Sequence, residues 1–103
     1  MSGESQIHIE AKVFRTLLAH LDAHKEVQNI ELMNLADFCR NCLAKWYVSA
    51  AAEQGIEISY DAARTHIYGM PYSEWKTLYQ TPATPEQLAT MKAKAAGKEA
   101  SQS

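Results

Sequence analysis

The residues best suited to chemistry in this chain are Cys39-Arg40-Asn41-Cys42, which hold both of its cysteines. Two thiols at this spacing serve dithiol redox chemistry or metal ligation, and each use demands something more of the sequence. A redox pair needs an activated thiolate, which thioredoxin-like proteins gain partly by seating the pair at a helix N-terminus in a βαβ setting. Here the pair falls well inside a stretch that reads as one helix, and no βαβ pattern surrounds it. A metal needs further ligands, and His20 and His24, one helical turn apart, are the natural ones. If their face met the cysteines, a site of Cys39, Cys42, His20 and His24 would close across two helices and suit zinc or iron. Without such partners, Cys39 reads as a small buried hydrophobe and Cys42 as a half-buried one. A small-molecule enzyme with a reactive Cys42, helped by Asn41 and Glu31, is the remaining catalytic reading. His66 supports no nucleophile–base pair, because no serine, carboxylate or thiol stands in a definable relation to it.

A second constellation is a surface for interaction. Glu31, Asn34 and Asn41 surround Phe38 on the polar side of the same stretch, so an exposed Phe38 would anchor a ligand or partner. Trp75 is the other aromatic assigned to this surface. Its own string, Tyr68-Gly69-Met70-Pro71-Tyr72-Ser73-Glu74-Trp75-Lys76, also reads as a turn closing the open end of the core, with Trp75 and Tyr79 inserting.

The element that must position these groups is Asn29 to Gly55, the longest run without proline or glycine in which apolar residues recur at helical spacing. Wound at ~100° per residue, it places Leu32, Leu35, Ala36, Cys39, Leu43, Trp46 and Ala50 on one broad side. Asn34, Asp37, Asn41 and Lys45 fall opposite, and Phe38 breaks the pattern by joining them. Asn29 serves as N-cap and Gly55 as the stop. Before it, Ile7 or Ile9 to about His24 reads as an amphipathic helix with a stripe of Val13, Phe14, Leu17, Leu18 and Leu21. The short link Lys25 to Gln28 makes the two helices neighbours. After Gly55, Ser59 caps a helix from Tyr60 to about Tyr68 that Gly69 ends. Ser73 caps another, running to Tyr79. Thr84-Pro85-Glu86-Gln87 is a capping box with proline at the first helical position, opening a last helix to about Ala96. Residues 1–6 and 97–103 are expected to be disordered. The fold class is all-α: a small helical bundle around one long central helix, with two shorter helices and a C-terminal helix.

At 103 residues the chain is one domain, spanning 7–96, with room for one modest core. A net charge of −2 leaves no basic footprint for nucleic acid. No run approaches the ~20 apolar residues of a membrane span. The N-terminus lacks the basic and apolar regions of a secretory signal, and two cysteines make no disulfide framework, which points to a reducing cytoplasm. More apolar and aromatic surface is present than so short a chain can bury. A non-enzymatic interaction or self-association module, a homo-dimer or the binder of a protein partner, is therefore the leading expectation.

The blocks NIELMNLADFCRNCLAKWY (29–47) and YGMPYSEWK (68–76), with TPATPEQL at 81–88, resemble the bacterial domain-of-unknown-function family 1244. The resemblance runs from about Val13 to Leu88. It implies a compact all-helical domain of a bacterial cytoplasm and no particular reaction. His20 matches the family pattern. Where that pattern has a glycine before the Phe-Cys pair, this chain has Asp37, so a close backbone approach there is not implied.

Overall fold

The computed structural model describes residues 3–102, with side chains as far as Gly97. Six helices follow one another: α1 (Gly3–Asp22), α2 (Asn29–Ala36), α3 (Arg40–Glu53), α4 (Tyr60–Tyr68), α5 (Tyr72–Tyr79) and α6 (Pro85–Gln102). No strand occurs among the described residues, and the all-α class holds. The helix expected over Asn29 to Gly55 does not run through. It stops at Ala36, and the chain reopens as α3 at Arg40.

Asp37 causes the stop. Its φ of 59° is left-handed, a conformation that Asp, Asn and Gly tolerate far better than other residues, and its N–H closes on the Met33 carbonyl. From α6, the Lys94 ammonium then donates to the Met33 and Asn34 carbonyl oxygens at 2.9 and 2.8 Å and pairs with the Asp37 carboxylate at 2.8 Å. The Met33 carbonyl, already capped by Asp37, and the Asn34 carbonyl beside it thus receive a cation from elsewhere at the negative end of the helix. Cys39 follows in an extended conformation as N-cap of α3. Phe38, one residue earlier, packs on the cluster that contains Leu43, the contact of a hydrophobic staple.

This break alters the faces derived for a continuous helix. Leu35 and Trp46, assigned to the buried stripe, are 83% and 58% exposed. Phe38, assigned to the polar side, is half-buried and stacks on the Trp46 ring at 6.4 Å.

Other boundaries follow local chemistry. The N-cap of α2 is Gln28 rather than Asn29, and the Glu31 carboxylate accepts the Gln28 N–H at 3.1 Å. At the end of α3, Gly55 N–H bonds to the Ala52 oxygen and Ile56 N–H to the Ala51 oxygen, a Schellman pair that needs the left-handed Gly55 (φ 73°). Ser59 caps α4 through the Ala62 N–H, and Gly69 ends it. Pro71, not Ser73, stands at the N-cap of α5. The Thr84–Gln87 capping box forms with both of its bonds. Helix reaches into both ends expected to be disordered, from Gly3 and as far as Gln102. The alanine- and lysine-rich sequence after Ala89 contains no proline to stop it, and one glycine is tolerated. Met1, Ser2 and Ser103 lie outside the described residues.

The core is Leu43, Ala44, Ala63, Ile67, Tyr68 and Trp75. It lies where α4 packs on α3 and α5, while α2 pairs with α6 and α1 rests on α4 rather than beside a central helix. Phe14, Leu17, Leu18 and Leu21 bring α1 onto this core from one side only, and no residue of α1 is fully buried.

Candidate functional site

With the helix broken, Cys39-Arg40-Asn41-Cys42 becomes the N-cap and first turn of α3. The two Sγ atoms are 3.9 Å apart, both thiols are free, and the Cys42 Sγ lies 3.9 Å from the Met33 Sδ. Cys39 is buried and Cys42 half-buried. Burial pushes the Cys39 thiol above its ordinary pKa, and the backbone N–H groups of Cys42 and Asn41 draw it part of the way back.

Arg40, between the cysteines, is the buried centre of a polar network. It is 2% exposed, yet among the described residues no carboxylate stands in hydrogen-bonding contact with it. Its Nη1 donates to the Val27 carbonyl at 2.8 Å and to Asn29 Oδ1 at 3.1 Å, and its Nη2 to the His24 carbonyl at 3.1 Å. The guanidinium carbon sits 5.0 Å from the centre of the Trp75 ring. One side chain therefore ties the turn after α1 to the start of α2 and to the core.

Asn29 passes the network on by donating to the Tyr68 hydroxyl at 3.0 Å, and that hydroxyl donates to Asn41 Oδ1 at 2.7 Å. Gln28, also buried, accepts the Thr81 N–H and donates to the Tyr79 and Glu26 carbonyl oxygens. These bonds give the buried Arg40, Gln28 and Tyr68 side chains their partners, and they fix the α1–α2 link against the α5–α6 link.

The residues expected to act together are dispersed. The His20 and His24 rings meet at a tilt of 51° with centres 4.7 Å apart, exposed on α1 and just beyond it, and His24 Nδ1 meets Glu26. Among the described residues, no group of three or more His, Cys, Asp or Glu could hold a metal ion, so the four-ligand site with His20 and His24 does not form. For the enzyme reading, Glu31 serves the start of α2 and Asn41 is held by Tyr68. His66 lies against the Tyr47 ring. Of the interaction surface, Asn34 donates to the Gln87 carbonyl and tethers α6. Trp75 is 2% exposed and belongs to the core, which removes it as a docking anchor.

Residues 27–93 match the profile of a family described as protein of unknown function (DUF1244). The chain belongs to the DUF1244 family. The matched stretch holds the polar network except for the His24 and Glu26 carbonyl oxygens, and α1 lies outside it. No curated protein matches the chain. Asp37, which precedes the Phe-Cys pair, is the left-handed residue that ends α2. No helix among the described residues is long and apolar enough to cross a membrane.

Two members of the DUF1244 network make stability sensitive to alkali. Burial raises the Tyr68 phenol far above its ordinary 10.0, against a lowering by the Asn29 hydrogen bond. Cys39 is raised from 9.0 for the same reason. The folded protein holds both protons where the unfolded chain releases them, so this contribution is intact below about pH 9 and declines as pH rises further. Thermal unfolding followed from about pH 8 to about pH 11 should show the decline. Tyr68→Phe should flatten the portion above about pH 10, and equal slopes in the two proteins would exclude Tyr68 as its source.

Proposed function

We propose that this chain is a non-enzymatic self-association module, a homo-dimer of the bacterial cytoplasm, in which a second copy covers the N-terminal half of α1. The observation that carries the reading is surplus surface. The chain exposes 7405 Å², whereas a folded monomer of 11.5 kDa exposes about 5,800 Å². The radius of gyration is 15.9 Å, against about 13 Å for a compact chain of this length. The surplus of about 1,600 Å² exceeds the roughly 800 Å² per partner that a stable interface covers.

The apolar stripe of α1 supplies the face. Phe14, Leu18 and Leu21 meet the core, and the same stripe continues at alternating four- and three-residue steps to Ala11 and Ile7, beyond the body that the helix packs on. Ile7 is 66% exposed, and Ile9 and Val13, on the other side of the same helix, are more than half exposed. Unpaired thiols accord with a reducing compartment.

Equilibrium sedimentation at micromolar concentration should return twice the chain mass. Ile7→Glu combined with Ala11→Glu should return the single mass with unchanged helical circular dichroism, since neither side chain belongs to the core. A monomer at every concentration, or a dimer indifferent to both substitutions, would refute the proposal.

A further inference from the structure

We infer that Cys39, Cys42 and Met33 form a three-sulfur site for a soft monovalent metal ion, copper(I) being the one the donor set fits best. Cys42 stands at the middle, with its sulfur 3.9 Å from the Cys39 sulfur and 3.9 Å from the Met33 sulfur. A metal bound to sulfur at about 2.3 Å holds neighbouring sulfurs about 3.8 Å apart when tetrahedral and about 4.0 Å apart when trigonal. Both spacings here lie in that interval, so the Cys42 sulfur stands at metal-sharing distance from Cys39 on one side and from Met33 on the other. The arrangement depends on the broken helix. Met33 belongs to the last turns of α2, Cys39 caps α3 and Cys42 ends the first turn of α3, and the reversal at Asp37 folds the first onto the others.

The donor set selects the ion. Two thiolates and a thioether are soft ligands, the class that favours copper(I). A structural zinc ion asks for four cysteine, histidine or carboxylate ligands, and no group of even three gathers among the described residues. Binding replaces the two thiol protons, which leave to solvent, and the centre formed by one cation and two thiolates carries one negative charge. That charge faces the N-terminus of a fourteen-residue helix, where the peptide dipoles favour an anion. Cys39 is buried while Met33 and Cys42 are half-buried, so the ion is shielded on one side and reached from the other.

The test uses the full chain, reduced and without oxygen, titrated with copper(I) against bathocuproine disulfonate, a coloured copper(I) chelator. One copper per chain should be withdrawn from the chelator, and X-ray absorption should find three sulfur neighbours. Met33→Leu, which preserves side-chain size, should weaken binding by about tenfold or more and remove one sulfur neighbour. Cys42→Ser should abolish binding, with circular dichroism confirming that each variant remains folded. Copper that stays with the chelator, a sulfur count unchanged in Met33→Leu, zinc held as tightly as copper, or a thiol pair that only forms a disulfide would each overturn the inference.

Discussion

Arg40→Leu should destabilise the protein by about 3–5 kcal/mol, as removal of one partner from a buried charged network does. The isobutyl group fills part of the space but can donate nothing. The Val27 and His24 carbonyl oxygens and Asn29 Oδ1 would lose donors at 2.8, 3.1 and 3.1 Å from a side chain that is itself buried. Each unpaired buried group costs about 1–3 kcal/mol, which is large beside a total stability of about 5–15 kcal/mol. Arg40→Lys should recover only part of the loss, because a single ammonium cannot reproduce the planar fork that reaches the α1–α2 link and stacks on Trp75. Urea unfolding of the three proteins checks this. A loss below about 1 kcal/mol for Arg40→Leu would mean that Arg40 does not hold that link.

Trp75→Ala should cost a similar amount, about 3–5 kcal/mol, through the cavity it leaves. Trp75 is the largest fully buried side chain. Its ring lies 4.9 Å from Tyr68 and 5.9 Å from Tyr79, and the Arg40 guanidinium covers it. Thermal unfolding should fall by about 4–8 °C for each kcal/mol lost. Because Arg40 and Trp75 touch, the double variant should lose less than the two single losses added, by roughly 0.5–2 kcal/mol. Strict additivity would contradict the stacking.

What the residues disclose in advance is what local chemistry decides. Ser59 and Gly69 bound α4, the Thr84–Gln87 box opens α6 and Gly55 ends α3, each through bonds made within a few residues. The break between α2 and α3 is harder to read, since Asn29 to Gly55 contains no proline or interior glycine. Two marks of it were present. Phe38 is out of phase with the apolar stripe, as a residue beyond a change of helix must be. Asp37, just before it, is one of the few residue types that tolerate a left-handed backbone, and its φ is 59°.

Arg40 was legible only as the spacer of a Cys-x-x-Cys motif. Its importance comes from carbonyl oxygens thirteen and sixteen residues upstream, which no periodicity reveals. Met33 was hidden for a similar reason. A methionine nine residues from Cys42 meets it only because the chain reverses between them. The histidines do not gather with the thiols because α1 rests on α4, not along the helix that carries the thiols.

All of these assignments depend on the reversal between Ala36 and Arg40, and backbone NMR of the reduced protein tests it most directly. Carbon chemical shifts should show two helical runs, Asn29–Ala36 and Arg40–Glu53, separated by an extended Cys39, with Asp37 couplings that report a positive φ. Unbroken helical shifts through Asp37, Phe38 and Cys39 would contradict the fold, and with it the placing of both thiols at the start of a helix.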